Sequence, residues 1–334
     1  MRYAENDQMP STGRAPLRDL AQAQHKLIGS AVDTSVLASD AAYRAVLARE
    51  FSSVTPENVM KWQLVEPQRG VFDYTAADSL VQFAREHDQV VRGHTLVWHN
   101  QVPRWLTEAA FTTPELADIL HEHVLQEVSH FRGNINAWDV VNEPFNDDGT
   151  WRDTIWLRAL GPDYVGLAFR WAQAADPQAW LYLNDFNVES IGPKSDAMYA
   201  LVQDLLARGT PVHGVGLQAH LAIELEFPST LRQNLERFAA LGVHVAITEA
   251  DVRIPLPPTP AKLAIQAEYF ARLLQACLEV RQCVSFTVWG FTDAHSWVPR
   301  AFAGQGAGTP FDEQLQPKPA YVALSGVLRA TVSP

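Results

Sequence analysis

WDVVNEP, residues 138–144, has the composition of a buried β-strand that stops at a carboxylate. The paired valines favour a strand, and the sequence Asn142, Glu143 and Pro144 ends it. A glutamate in that position is either an ordinary loop residue or a side chain delivered to a site. The seven residues alone support both interpretations.

Seven other short runs share this strand-like composition. The eight runs are residues 26–32, 51–57, 90–98, 135–143, 180–186, 214–220, 244–250 and 284–290. Stretches with helical spacing separate them, for example 114–131, 195–209 and 261–280. Strand–helix alternation favours a parallel sheet with helices outside it, and eight units favour closure. We therefore predict an α/β fold, a single (β/α)8 TIM barrel. An open doubly wound sheet is the alternative, although no GxGxxG follows the first run.

The 334 residues could form one large domain or two ordinary ones, and a hydrophobic content of 47% is sufficient for a sizeable core. Residues 1–24 are polar and rich in Pro, Gly and Ser, which predicts an N-terminal tail or cap that is partly flexible. Residues 25–334 are predicted to form one (β/α)8 catalytic domain. The proline-rich segment 254–261 is predicted to be a loop and not a hinge between domains.

The formal net charge of −12 disfavours a nucleic-acid partner, which would require a basic surface. No run of about 18 apolar residues is present, so we predict no membrane span. The N-terminus lacks the apolar region of a signal peptide, so the protein either stays inside the cell or has lost a leader. Cys277 and Cys283 are either two buried thiols or one disulfide, which would indicate an oxidising compartment.

Polar or aromatic side chains follow nearly every predicted strand, at the barrel face where active sites lie. Singly, each such residue is more often part of the core or solvated. Their coincidence at one face favours function. The set comprises Glu57, Asn58 and Lys61; His94 and Trp98; Asn142 and Glu143; Asn184 and Asp185; Gln218 and His220; Glu249 and Asp251; and Trp289 and Trp297.

Glu143 and Glu249 end strands that are three places apart around the predicted ring. Two carboxyl groups facing across a cleft suit glycoside hydrolysis, in which one protonates the leaving oxygen and the other attacks the sugar. We expect His220 and Asp251 to hold Glu249 as an oriented carboxylate. Asn142, beside Glu143, is expected to bind a sugar hydroxyl in the transition state.

Trp98, Trp289 and Trp297 lie at the predicted mouth of the cleft, where their faces suit the apolar faces of sugar rings. The main competing chemistry is a metal site built from the same Asp, Glu and His residues. The chain has no HExxH motif, and the HEH at residues 121–123 lies within a helical run, where we interpret it as an ordinary structural feature. We therefore predict no metal and no cofactor. Ser-His-Asp hydrolysis is disfavoured as well, because the chain has no GxSxG.

Several of these segments form a familiar set. TPENVMKW (55–62), RGHTLVWHNQVPRWL (92–106), WDVVNEPFND (138–147), VGLQAHL (215–221) and ITEAD (247–251) are joined by TVWGF (287–291) and DAHSW (293–297). Together they resemble the xylanases of glycoside hydrolase family 10, in order and from about residue 26 to the C-terminus.

The resemblance implies a (β/α)8 barrel that cleaves internal β-1,4-xylosidic bonds of xylan by retaining double displacement. By position, it makes Glu143 the general acid/base and Glu249 the nucleophile, with Asp251 orienting His220. The implied glycone-binding residues are Glu57, Asn58, Lys61, His94, Trp98, Asn142, Gln218, His220, Trp289 and Trp297. It further implies a Cys277–Cys283 disulfide and a secreted protein, with an intracellular form as the alternative. Xylan and xylo-oligosaccharides are the expected partners, and a monomer is the default for an enzyme of a bulky polymer.

Two positions depart from the family pattern. Ala250 stands where a larger apolar residue is more frequent, and we expect this to alter barrel packing only. Phe186 replaces a frequent tyrosine near the leaving-group side. Two alternatives stay open: a relative tuned to another β-linked glycan such as cellulose, and a catalytically silent xylan-binding barrel. The presence of both glutamates argues against the second.

Overall fold

A closed barrel of eight parallel strands lies at the centre of the computed structural model, which describes residues 15–330. The strands are β1 Leu27–Val32, β2 Ser53–Pro56, β3 Val90–Val97, β4 Ala137–Asn142, β5 Trp180–Asp185, β6 Gly214–Leu217, β7 His244–Pro255 and β8 Cys283–Val288. Each strand pairs in parallel with the next. β8 pairs with β1, with Ser285 opposite Leu27 and Val288 opposite Ser30. The predicted (β/α)8 barrel is confirmed.

Helices surround this barrel. Within residues 15–330 they are α1 Leu17–Ala23, α2 Thr34–Ser39, α3 Ala41–Glu50, α4 Trp62–Val65, α5 Thr75–Glu86, α6 Arg104–Glu108, α7 Thr113–His130, α8 Ile155–Leu160, α9 Asp163–Ala175, α10 Pro193–Ala207, α11 Leu231–Ala239, α12 Pro260–Glu279, α13 Val298–Ala301 and α14 Pro319–Ala330. None of them is both long and apolar enough to cross a membrane. α7 contacts β3, α9 contacts β4 and β5, and α12 contacts β7 and β8. The helices therefore cover the outer face of the sheet.

Local chemistry explains where these elements begin and end. All six residues of β4 are buried, because the barrel interior covers one face and helices the other. α7 begins with a capping box in which the Thr112 backbone N–H donates to Glu115 Oε2 over 2.7 Å. Gly209 follows α10 at φ +69°, a left-handed conformation that glycine adopts without steric cost.

Two predicted boundaries are wrong. The run 214–220 is interrupted: β6 ends at Leu217, and a separate short strand, His220–Ala222, pairs with β7. Ala219 between them has φ 64°, and its backbone N–H donates to Glu189 Oε1 over 2.7 Å instead of continuing the ladder. The loop predicted at 254–261 is shorter in the structure, because β7 extends to Pro255 and α12 begins at Pro260.

The N-terminal part of the described chain packs onto the barrel. The Leu17 backbone N–H and the Tyr321 hydroxyl both donate to Glu50 Oε2 over 3.0 Å, which ties α1, α3 and α14 together. Residues 1–14 of the predicted tail or cap lie outside the described residues. The domain boundary at residue 25 stays a prediction.

Cys277 and Cys283 form a disulfide, as expected from the family resemblance. Cys277 lies in the last turn of α12 and Cys283 is the first residue of β8. The bond therefore attaches a barrel-closing strand to the helix that precedes it in the chain, at the N-terminal end of that strand.

Replacing both cysteines with alanine should lower the free energy of unfolding by about 2 kcal/mol, since the bond closes only a short loop in the unfolded chain. Thermal unfolding of the variant, compared with that of the disulfide-bonded parent protein, measures the change, and the reduced parent should unfold like the variant. Because the bond lies at the opposite end of β8 from the polar strand ends, turnover should be retained. A variant as stable as the parent would contradict this role.

Candidate active site

Two buried glutamates face the C-terminal end of the barrel. Glu143 directly follows β4 and is 9% exposed, whereas Glu249 lies in β7 and is 4% exposed. Two asparagines connect their carboxylates. Asn142 Nδ2 donates to Glu143 Oε1 over 3.3 Å, and Asn184 Nδ2 donates to both Asn142 Oδ1 (2.9 Å) and Glu249 Oε1 (2.8 Å). The two carboxylates thus belong to one hydrogen-bond network.

Further contacts fix the orientation of these amides. Thr248 Oγ1 donates to Asn184 Oδ1 over 2.7 Å, which leaves the Asn184 amino group for Glu249. Gln218 Nε2 donates to Glu143 Oε1 over 3.1 Å and to Asn142 Oδ1 over 3.2 Å. A Cβ at Gly216 would lie 2.2 Å from Asn184 Oδ1, so glycine is needed there for the asparagine to reach across.

Glu249 is paired with a histidine that is itself held by a second carboxylate. His220 Nε2 lies 3.2 Å from Glu249 Oε2, and its Nδ1 lies 2.9 Å from Asp251 Oδ2. Burial disfavours the imidazolium, but Asp251 and Glu249 outweigh it and raise the pKa of His220 to about 10. Burial would likewise raise the pKa of Glu249, yet the hydrogen bond from His220 and the nearby histidine charges lower it overall. Glu249 is therefore held ionised.

Glu143 has a different environment. Its hydrogen bonds come from neutral donors, including Trp98 Nε1 at 2.8 Å from Oε2. His99 Nδ1 lies 3.8 Å from the same oxygen, and burial lowers the pKa of this histidine. The two glutamates thus differ in the charge that faces them, which is the arrangement that separates an acid from a nucleophile.

The backbone of Glu143 is strained. Its φ of 57° lies in the left-handed region, which costs a residue with a long side chain on the order of 1–3 kcal/mol. The Glu143 N–H donates to Asn184 O over 2.8 Å, and Arg152 Nε donates to Glu143 O over 3.0 Å. Contacts on both sides of the residue therefore maintain a conformation that turns the chain out of β4.

Behind Glu143 lies a buried ion pair. Lys194 Nζ is 3.0 Å from Asp185 Oδ1, and both side chains are almost fully buried. Burial raises the pKa of Asp185 to about 7, although Lys194 opposes the shift. The ammonium also lies 3.4 Å from the ring centroid of Phe186, one of the two departures from the family pattern. The aromatic ring at this position therefore covers a cation.

A lysine and two tryptophans form one wall of the site. Lys61 Nζ lies 4.7 Å from the Trp98 ring centroid and 5.8 Å from that of Trp289. Burial lowers the pKa of Lys61, and Glu249, Glu57 and Glu143 oppose the shift. Burial raises the pKa of Glu57, which Lys61 partly offsets. The wall thus combines aromatic faces with buried charges that need partners.

His94 is anchored from inside the barrel. Its Nδ1 lies 3.0 Å from Asp139 Oδ2, and Asp139 forms a bidentate pair with Arg92. The guanidinium lies 4.5 Å from the Tyr182 ring centroid. Burial favours a neutral Asp139, but Arg92 and His94 lower its pKa overall. This ion pair supports the histidine from the interior of the barrel.

The structure brings the predicted site residues together at the C-terminal ends of the strands. The ring centroids of His94 and Trp289 are 5.2 Å apart, those of His220 and Trp297 are 5.0 Å apart, and Trp297 Nε1 donates to Asp251 Oδ2 over 2.7 Å. Asn58 lies beside Glu57, and its Oδ1 accepts from Gln101 Nε2 over 3.2 Å.

Three residues near the glutamates were given no role by sequence reasoning. Asn184 had a usable signal, because it ends the fifth predicted strand. Arg152 lies in the segment after β4, and Lys194 lies in the first turn of α10, so neither occupies a strand end. Charged residues in such positions are normally solvated, and only the tertiary structure shows their contacts with the site.

Known proteins share this architecture. The model of glycosyl hydrolase family 10 matches residues 16–327. Endo-1,4-beta-xylanase A of Phanerodontia chrysosporium is 45% identical over 318 residues, which cover 94% of this chain and 78% of that protein. The endo-1,4-beta-xylanase of Agaricus bisporus is 45% identical over 316 residues, 94% of either chain.

The crystal structure of xylanase 10B from Thermotoga petrophila RKU-1 in complex with xylobiose has a TM-score of 0.93 at 42% identity. The match covers 98% of this chain and 100% of that one. The family predicted from the motifs is confirmed, and this chain belongs to glycosyl hydrolase family 10.

Proposed function

We propose that this family 10 glycosidase is an endo-acting β-1,4-xylanase that works by retaining double displacement. The observation that carries the mechanism is the pair Glu143 and Glu249, two buried carboxyl groups in one network but with different electrostatic partners. The names of the curated relatives and the xylobiose in a structural neighbour support xylan as the substrate.

In the first step, Glu249 attacks the anomeric carbon while Glu143 gives its proton to the departing glycosidic oxygen. The bond between sugar and leaving chain breaks, and a glycosyl ester forms on Glu249. In the second step, Glu143 takes a proton from water, whose oxygen attacks the same carbon and releases Glu249. Two inversions give net retention, and Glu143 regains its proton.

His220 supports both steps as a positioning residue. Its imidazolium fixes one oxygen of Glu249, and Asn184 fixes the other. A nucleophile held by two donors loses little freedom on reaching the sugar, which is the advantage of preorganisation. The depressed pKa of Glu249 keeps it ionised before attack.

Sugar recognition is assigned to the remaining strand-end residues. Trp289 and Trp297 offer apolar faces to the glycone, and Lys61 and Glu57 offer charged hydrogen-bonding groups. Asn142, next to Glu143, is assigned to bind a sugar hydroxyl through a hydrogen bond that strengthens in the transition state. The other assigned binding residues are Asn58, His94, Trp98, Gln218 and His220.

The cellular setting and assembly are part of the same proposal. The Cys277–Cys283 disulfide supports an oxidising compartment and hence a secreted enzyme. A monomeric catalytic domain covering residues 25–334 is proposed for a protein that must dock on a bulky polymer.

Glu249→Ala should abolish release of reducing sugars from xylan and of phenol from aryl xylobiosides, because the carboxylate assigned to form the ester is lost. The parent protein should cleave xylan much faster than carboxymethylcellulose. Glu50→Ala is the matched control, since it removes another buried glutamate but one that binds α1 and α14. Substantial residual turnover by Glu249→Ala would contradict the assignment.

Glu143→Ala should still form the glycosyl-enzyme from an aryl xylobioside with a good leaving group, because such a group needs no proton. Hydrolysis of that ester should then stall for want of a base. Azide, which needs no base, should restore turnover and give a xylobiosyl azide of retained configuration, observable by NMR. An azide product of inverted configuration would reverse the assigned roles.

His220→Gln should lower kcat/KM on aryl xylobiosides by roughly a hundredfold, as expected when one donor to a reacting group is lost. Stability should change with pH as well. The pKa of His220 is about 10 in the folded protein and 6.5 in the reference state, so its stabilising charge is fully present below pH 6.5 and lost as pH rises through 10.

The difference in unfolding free energy between parent and His220→Gln should therefore be largest near pH 6 and shrink towards pH 10. Urea unfolding at a series of pH values measures it. A difference that grows with pH would show that His220 is neutral in the folded state.

A further inference from the structure

An exposed tryptophan lies at the N-terminal end of the barrel, away from the catalytic face. Trp180 begins β5 and is 43% exposed. Its ring centroid lies 4.3 Å from that of His244 and 5.5 Å from that of His213. His213 directly precedes β6 and His244 begins β7, the next two strands around the barrel, and we call the three residues the rim cluster. An indole supported in this way presents a fixed apolar surface to solvent.

A polar pocket of about 280 Å³ adjoins the rim cluster. The Trp180 backbone N–H donates to Asn136 O over 3.0 Å, and Gln178 stands two residues before the tryptophan. We call this space the rim pocket; the polar residues in its lining are Gln89, Asn134, Asn136, Asp176 and Gln178. Small-molecule sites begin at roughly 300 Å³, so the rim pocket suits about one sugar residue.

Several polar groups of the rim pocket are free for a ligand. Gln89 is not one of them: within residues 15–330 its Nε2 donates to Leu47 O and Phe51 O and its Oε1 is fully buried, so this side chain forms part of the wall only. In the same range, the exposed amides of Asn136 and Gln178 make no side-chain hydrogen bond to protein.

The charge of the site favours an uncharged ligand. The pocket lining contains neither Lys nor Arg, and both oxygens of Asp176 accept backbone N–H groups, from Gly133 over 2.9 Å and Gln178 over 3.0 Å. His213 Nδ1 accepts the Leu181 N–H over 3.0 Å, so the neutral ring carries its proton on Nε2 and can donate it. Burial and His244 lower the pKa of His213, which favours that neutral form.

We propose that the rim cluster and rim pocket form a second carbohydrate-binding site, which takes one end or one decorated segment of a neutral polysaccharide chain. Trp180 stacks on a sugar ring, and the free amides of Asn136 and Gln178 bind hydroxyls. The identification of that chain as xylan rests on the proposed function. A site at the opposite pole from the cleft would keep the enzyme attached to a polymer between cleavage events.

The test compares two variants in a Glu249→Ala background, so that the polymer stays intact during binding. Trp180→Ala should weaken retention on insoluble xylan roughly twofold to tenfold, the effect expected for one lost aromatic contact. Ile265→Ala is the control, because it removes an exposed apolar side chain elsewhere, on α12. It should be retained on xylan as well as the Glu249→Ala protein is. Equal retention by the two variants would overturn the proposal.

Turnover separates this proposal from the catalytic one. With Glu249 intact, Trp180→Ala should keep the parent kcat/KM on an aryl xylobioside, which is too short to reach the rim, but act more slowly on insoluble xylan. A parent enzyme inactive on both substrates would refute the proposed function. The retention measured on insoluble xylan would then decide the second site by itself.

Two further measurements examine the rim pocket and the two histidines separately. The double variant Asn136→Ala/Gln178→Ala removes only exposed side chains, and it should weaken retention even if Trp180→Ala folds poorly. Retention unchanged in that double variant and in Trp180→Ala would overturn the site. Retention that is lost on chelation and restored by zinc would assign the two histidines to a metal and overturn it as well.

Discussion

The pairing of β8 with β1 closes the sheet, and the geometry of the cleft depends on that closure. An open sheet would leave Glu143 and Glu249 on one edge, whereas a ring turns them towards a shared centre. Closure also removes both sheet edges, so every strand is flanked by two others and covered by helices. The strand ends then hold polar groups at fixed separations that loops alone would not maintain.

Charge pairing makes such a polar centre tolerable. A buried charge is costly unless it is paired and hydrogen-bonded. Asp251, His220 and Glu249 form one alternating row, and Arg92 with Asp139 forms another beneath it. Lys61 lies close enough to the carboxylates of Glu249, Glu57 and Glu143 for all three to oppose the effect of its burial. Removing one member of a row leaves its neighbour unpaired, so the effects of substitutions in the cleft are not expected to add.

The fold was predictable because parallel barrel strands are buried on both faces and appear as continuous apolar runs. The strand-end residues were predictable for a related reason, since the fold assigns that position to chemistry. The break at Ala219 was not, because it depends on Glu189, which is 30 residues away in the chain. Lys194 and Arg152 were also missed. Arg152 donates to Glu143 O and Phe145 O, and Lys194 pairs with Asp185. These partners lie across a turn of the chain and outside the repeat of any one helix or strand, so local pattern carries no information about the contacts.

The left-handed backbone of Glu143 carries a consequence for engineering this enzyme. Stabilising substitutions are usually sought where the chain is strained, and a glycine here would relieve the strain at once. The same change would remove the side chain on which the proposed chemistry depends. A substitution that stabilises the protein at this residue would therefore abolish turnover. Substitutions intended to raise thermal stability are better placed in the surrounding helices, which carry none of the residues assigned to catalysis.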